Sequence, residues 1–277
     1  MPKLEGGLIG KGIFYKEYND QYQSNKPFPH IYFDNLFDES FLNKVLDEFE
    51  KNEYFDDSFN DNNQRLKRTL SDYSRFEENS KKLINYLHSV EFLKFIQEFT
   101  GIKEMLVPDP YLMGGGYHET KRNGFLKLHI DFSKHYKTNL DRRVNVILFL
   151  NKNWQPNYGG NLVLGSDERK VEIEPIFNRL AIFNTTPNSI HGQPDPVTCP
   201  KDMSRKSIAL YYYSNGRPES EINSLILNHS TQFVGRNFKE KFYARLAMMR
   251  YLVKYYLWSC IPPVIFILRR KLLGRLP

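Results

Sequence analysis

Cysteine is almost missing from this 277-residue chain: Cys199 and Cys260 are the whole supply. Two thiols cannot form a disulfide framework, neither shows a sign of pairing or reactivity, and a reducing compartment is expected. An apolar leader is lacking as well. Met1-Pro2-Lys3-Leu4-Glu5-Gly6-Gly7 has none of the apolar core of a signal peptide, which points to a cytoplasmic address. The apolar stretch from Tyr255 to Leu268 falls short of the ~20 residues a spanning helix needs, and Pro262-Pro263 breaks it. Acid is scarce in one region: from Arg236 onward, Glu240 stands alone against ten Lys and Arg. That tail carries +9 of a net +7, leaving about −2 on the body, so no nucleic-acid partner is expected.

What is abundant is aromatic. Eighteen Tyr and 21 Phe favour strands and broad apolar contact surfaces, and 40% hydrophobic with 26% charged residues describes a soluble protein. The length allows one large β domain with helical decoration, or two small domains. Residues 1–26 read as an irregular arm, and 27–37 as a short strand behind a proline-set entry. Asp38 is placed to cap a helix through about Glu50, with Phe41, Leu42, Val45, Leu46 and Phe49 at helical spacing. Residues 51–79 read as a long loop with a turn at 60–64. A second amphipathic helix is expected over 80–100, stopped by Gly101. Gly114-Gly115-Gly116 then reads as a flexible break. Strand-like segments follow at 125–132, 144–150, 161–164, 170–173, 180–183 and 207–213. Gly159-Gly160 permits a close backbone approach, and the prolines at 194, 196 and 200 stiffen the loop 192–200.

Chemistry concentrates between His129 and Ser207. In the alternating run from Phe125 to Phe132, His129 and Asp131 lie two apart and share one face of a strand. His191 follows after the strand-like segment 180–183. Two imidazoles and a carboxylate on one side of a metal leave the opposite positions open, which suits non-haem Fe(II). Downstream, Arg205 opens the apolar strand 207–213, and Ser207 projects to the same side. A guanidinium there can grip a carboxylate in bidentate fashion, so a carboxylate-bearing cosubstrate is implied. Trp154 reads as core packing. His30, His88, His135 and His229 have no partner at ligand spacing and read as surface or packing residues.

Over residues 27–215 the chain resembles the Fe(II)/2-oxoglutarate dioxygenases, in particular their prolyl-4-hydroxylase-like branch. The matching pieces are His129-Ile130-Asp131, the run Arg142 to Asn151 with Trp154, Tyr158 to Leu164, Pro175 to Phe183, His191, and Arg205 with Ser207. The resemblance implies a mainly β fold with flanking helices. Its double-stranded β-helix (jelly-roll) core would span about 105–215, inside a domain of 27–235 that carries an N-terminal helical buttress. The arm 1–26 precedes that domain, and a helical, basic, amphipathic tail (236–277) follows it. It also implies Fe(II) held by His129, Asp131 and His191, with 2-oxoglutarate and O2 as cosubstrates and ascorbate as a support. The reaction implied is oxygen insertion into a substrate C–H bond, with release of succinate and CO2.

Relatives place a 2-oxoglutarate-contacting tyrosine near Tyr117 and His118, and spacing does not choose between the two. Asn145 points into the barrel by register, either toward the cosubstrate or as a satisfied buried amide. Phe149 departs from relatives that carry a tyrosine there, which shifts the task to Arg205 and Ser207. Lys201, ten residues after His191, is a rival anchor of the collagen-type enzymes, but it falls in a polar loop. A prolyl group, peptidyl or free, is the nearest substrate class; glycans, lipid-linked substrates and small metabolites are alternatives. Two rivals from other classes are a non-catalytic jelly-roll binding module and a zinc hydrolase. The tail from Phe238 reads as an amphipathic helix and then as an apolar segment with Trp258 and Arg269-Arg270-Lys271. It suits either a peripheral contact with an anionic membrane surface or packing on the jelly-roll or a second subunit.

Overall fold

The computed structural model describes residues 12–166, 169–218, 221 and 231–234. Among them, α1 (Gly12–Ser24), β1 (His30–Asp34) and α2 (Glu39–Lys51) lead to a hairpin of β2 (Asp57–Phe59) and β3 (Gln64–Leu70). Two helices follow, α3 (Glu78–Leu87) and α4 (Val90–Thr100), then β4 (Val107–Pro108) and the long β5 (Gly116–Ile130). The remaining strands are β6 (Asp141–Phe149), β7 (Leu162–Leu164), β8 (Val171–Ile173), β9 (Arg179–Asn184), β10 (His191–Gln193), β11 (Ser204–Ser214) and β12 (Gln232–Phe233).

They pair in the order β1-β9-β6-β11-β5-β10-β7-β8, with β3, β12 and β4 joined to β5, β5 and β11. The sheet is antiparallel and curls around β5, whose first half lies beside β11 and whose second half lies beside β10. A mainly β protein with a curled antiparallel sheet and four helices is consistent with the jelly-roll core expected from the sequence.

Alternation along β6 explains the layering. Val144, Val146 and Leu148 join Ile208, Leu210 and Tyr212 of β11 against Leu42, Val45, Leu83, Phe92 and Phe95 of the helices. Asn145, Ile147 and Phe149 therefore face the inside of the curl. Helix starts follow capping chemistry. Asp38 Oδ1 accepts the Phe41 amide at 2.9 Å, Ser89 caps α4, and Gly101 ends it at φ 68°.

Four local expectations change. The arm 1–26 contains α1, which carries few apolar residues and is fixed by tertiary contacts. Tyr22 is fully buried against Phe99 and donates to Asn184 Oδ1 at 2.7 Å, while Asn19 donates to the Phe99 carbonyl at 2.8 Å. The loop 51–79 contains the β2–β3 hairpin, with the expected turn at its tip, where Asp61 accepts from the Gln64 amide. The helix expected over 80–100 is two helices, parted where Ser89 caps the second. The flexible break at Gly114–Gly116 is instead a tight crossing. Gly116 is buried at φ 80°, and a Cβ there would collide with the Leu70 carbonyl of β3. The tail 236–277, with Cys260, and His229 lie outside the described residues. Among the described residues no helix is long and apolar enough to cross a membrane.

Candidate metal and cosubstrate site

β5 and β10 pair so that His129 stands opposite His191, with ring centroids 4.4 Å apart. Each Nδ1 lies 2.9 Å from a backbone carbonyl, that of Lys127 for His129 and that of Ser189 for His191. A carbonyl only accepts, so both protons sit on Nδ1 and both Nε2 lone pairs face the third member, Asp131. Asp131 Oδ1 is 3.6 Å from His129 Nε2, and its Oδ2 is 3.2 Å from His191 Nε2. One ligand atom from each residue falls within 4.8 Å of the others. Burial, and then the neighbouring His191, lowers the pKa of His129, which favours the neutral imidazole a metal requires. Two neutral nitrogens and one carboxylate, all oriented from behind, fit Fe(II).

Asp131 is held by residues whose role the sequence did not disclose. Arg142 is 1% exposed, and its Nη2 lies 2.9 Å from Asp131 Oδ2. Its Nε donates to Asn145 Oδ1 at 3.0 Å, and Asn145 Nδ2 in turn donates to Asp131 Oδ2 at 2.8 Å. Asn145 points inward as its register requires, but its amide is committed to Arg142 and Asp131. That corrects its reading as a cosubstrate contact; it is a satisfied buried amide. The guanidinium of Arg142 also lies 3.4 Å from the Tyr211 ring centroid. Burial works against the charge on Asp131, but Arg142, His191 and His129 outweigh it and hold the carboxyl well below its ordinary pKa.

Arg142 reaches this face through a bulge. In the β6–β11 ladder Tyr212 pairs with Val144 and Tyr213 with Arg142, so Arg143 is skipped. One extra residue reverses the parity and turns Arg142 inward. Arg143 then points away, to Glu104 at 2.9 Å and to the Ser214 hydroxyl.

Across the interior, Arg205 is 7% exposed near the start of β11. Its Nε donates to the Gly160 carbonyl at 2.6 Å, and its guanidinium lies over the Phe149 ring at 5.0 Å. Gly160 sits at φ 72°, with room for a Cβ only 3.1 Å from the Arg205 side chain, so the close approach expected of Gly159-Gly160 serves this arginine. Phe149 lacks a hydroxyl but supports the guanidinium through its π face. Burial lowers the pKa of Arg205 to about 10. Ser207 follows on the same face, paired with Phe149 and His118. Lys201 lies exposed in a turn.

Of the two residues at the approach, His118 shares this interior: Lys67 and Arg205 are among the charges that, after burial, lower its pKa well below the ordinary value. Tyr117 does not. It stacks on Phe49, meets Phe76 edge-on and bonds Ser80, all on the helical side of the sheet. Strand parity sends neighbours to opposite faces, so Tyr117 is excluded as a cosubstrate contact. A lysine from the hairpin, Lys67, joins the group instead. The interior thus offers a metal triad with anchored imidazoles and, across from it, a cluster of cations able to hold an anion.

Residues 115–213 match the profile of the family described as the 2OG-Fe(II) oxygenase superfamily. The fold is similar to that of a prolyl hydroxylase from Trichoplax adhaerens, solved in complex with a hypoxia inducible factor oxygen degradation domain peptide fragment. That similarity has TM-score 0.54 at 20% identity, over 76% of this chain and 93% of the other. It is also similar to a prolyl-4-hydroxylase from Pseudomonas putida, with TM-score 0.53 at 14% identity, over 73% of this chain and 99% of the other. The matched stretch holds the triad and Arg205, so the part of the chain that is similar to the 2OG-Fe(II) oxygenase superfamily is the part that carries the site. The profile over these residues points to a 2-oxoglutarate-dependent oxygenase, an oxidoreductase.

Proposed function

We propose that His129, Asp131 and His191 hold Fe(II), that Arg205 with Ser207 beside it receives the distal carboxylate of 2-oxoglutarate, and that the protein hydroxylates a C–H bond of its substrate. Iron bound there supplies O2 activation and the oxidising power. The chain's own part is geometric. The Lys127 and Ser189 carbonyls fix both imidazole tautomers, and Arg142 with Asn145 holds Asp131 by one oxygen. Succinate and CO2 leave as the products of the cosubstrate, and ascorbate serves in assays to keep the iron reduced. The observation that carries the reading is the set of three convergent ligand atoms, with both Nδ1 protons already engaged.

A prolyl group, in a peptide or free, is the proposed substrate, supported by the fold likeness to two prolyl hydroxylases. Glycan, lipid-linked and small-metabolite substrates are the alternatives, and the protein is proposed to act in the cytoplasm. The test is succinate release on adding Fe(II) and 2-oxoglutarate, followed by a mass-shift screen of substrates. His129→Ala, Asp131→Ala and His191→Ala are each expected to abolish turnover and weaken Mn(II) binding while still folding, with Asp131→Ala also lowering Tm because it strands the buried Arg142. A variant with full activity removes its residue from the ligand set, and a wild-type protein that binds Mn(II) without turning over 2-oxoglutarate is the non-catalytic module.

A further inference from the structure

Arg205 and Lys67 face the same interior, and neither makes an ion pair among the described residues. Their placement follows from the ladder. Lys67 of β3 pairs with Thr120 of β5, and Thr120 pairs with Arg205 of β11. Residues in register on adjacent strands project to one face. With strands ~4.8 Å apart, the two cationic residues start about 10 Å apart with Thr120 between them. Long side chains from such positions can converge on one small anion. The adjoining row holds Thr69, His118, Ser207 and Phe149, which supplies hydroxyl and imidazole groups; its one carboxylate, Asp57 of β2 opposite Thr69, is exposed at the outer edge of the hairpin.

We propose that Lys67 shares the distal carboxylate of 2-oxoglutarate with Arg205, so that a two-cation grip selects a dicarboxylate over a monocarboxylate 2-oxo acid. The inference rests on the cosubstrate reading above and adds a residue to it. Three observations support it. Arg205 is fixed by its bond to Gly160 and its seat on Phe149, so its position does not follow the ligand. Phe149 offers no hydroxyl, which leaves the second lone pairs of the carboxylate to another donor. Lys67 senses both Arg205 and Asp131, the two ends between which the bound dicarboxylate would extend.

The electrostatics agree. Burial and then Arg205 lower the pKa of Lys67 to about 8, opposed by Asp131 and by Asp57 of the same hairpin. His118, from β5, is held neutral by burial and by Lys67. An anion between Lys67 and Arg205 raises the Lys67 pKa. Affinity for that anion is therefore full below about 8 and falls as pH rises through it.

The experiment measures equilibrium binding of 2-oxoglutarate and of 2-oxopentanoate, which lacks the distal carboxylate, to the Mn(II)-loaded full chain. Lys67→Met is expected to weaken 2-oxoglutarate by about 10- to 100-fold, the scale of one hydrogen bond to a charged group, and to leave 2-oxopentanoate within about twofold. Lys67→Arg should restore most of the affinity, and Mn(II) binding should match wild type in both variants. In wild type, affinity for 2-oxoglutarate but not for 2-oxopentanoate should fall above pH 8, a readout that needs no variant. Unchanged 2-oxoglutarate affinity in Lys67→Met overturns the proposal; equal weakening of both ligands makes its role structural and overturns it too. A wild-type protein that binds Mn(II) but neither oxo acid defeats the cosubstrate reading itself, and this inference with it.

Discussion

Replacing Arg142 with Met tests whether the metal carboxylate is held by a buried ion pair. Met fills similar volume, so the change removes charge more than packing. Lost are the 2.9 Å contact to Asp131, the 3.0 Å bond to Asn145 and the stack on Tyr211. In the metal-free protein this strands a carboxylate whose counter-charge is gone, a loss of roughly 3–5 kcal/mol for a broken buried pair. At about 2 °C per kcal/mol for a chain of this size, Tm should drop by roughly 6–10 °C at pH 7. The pH dependence has a definite sign. Asp131 has a depressed folded pKa, so its stabilisation is present above the unfolded carboxyl value of ~3.9 and is lost as pH falls through the folded one. The gap between wild type and variant should therefore be widest at neutral pH and narrow below about pH 4. Mn(II) supplies positive charge and should raise the Tm of the variant more than that of wild type. Calorimetry with and without Mn(II) across this range is the assay. A metal-free shift under about 2 °C, or a gap that does not change with pH, would refute the reasoning.

Arg205→Ala should raise the KM for 2-oxoglutarate by tens-fold or more, since an unpaired buried carboxylate costs roughly 2–5 kcal/mol, while Lys201→Ala should change little; the reverse ranking in steady-state kinetics would move the anchor to the lysine. Gly116→Ala should destabilise by about 2 kcal/mol or more, because its φ of 80° and the Leu70 carbonyl leave no place for a methyl group; denaturation within 0.5 kcal/mol of wild type, the ~ noise of a surface change, would contradict the crossing described. If the tail contacts membranes, the full chain should sediment with anionic liposomes, less so at high salt, and a chain ending near Asn237 should stay soluble with its iron chemistry intact; aggregation of the shortened chain, with no liposome binding by the full one, would mark the tail as a packing element.

The metal triad was legible because it is written in local periodicity. His129 and Asp131 are two apart on one strand, and Arg205 stands near the start of a strand whose apolar pattern is plain, while His191 opens the short His-Gly-Gln strand β10 that carries no such pattern. The helix α2 was legible for the same reason, through its cap at Asp38 and a stripe of apolar residues, whereas the break at Ser89 that parts α3 from α4 was not. The choice of Arg205 over Lys201 followed from which of them lies on a strand.

Other features depended on how strands meet. Parity alone sends Arg142 to the helical side with Val144; only a bulge opposite Tyr212 and Tyr213 brings it to Asp131. Tyr117 and His118 are equivalent by spacing, and the helices packed on one face of β5 separate them. Lys67 lies in a polar stretch that reads as a loop, and it becomes part of the site only because β3 docks on β5. Local pattern is enough to name the residues that can bind a metal and to put His129 and Asp131 on one face of one strand, since side chains alternate with a period of two along any strand. The tertiary structure decided which residues stand behind and across from the metal, because register, bulges and the docking of a hairpin are set by contacts between segments far apart in the chain.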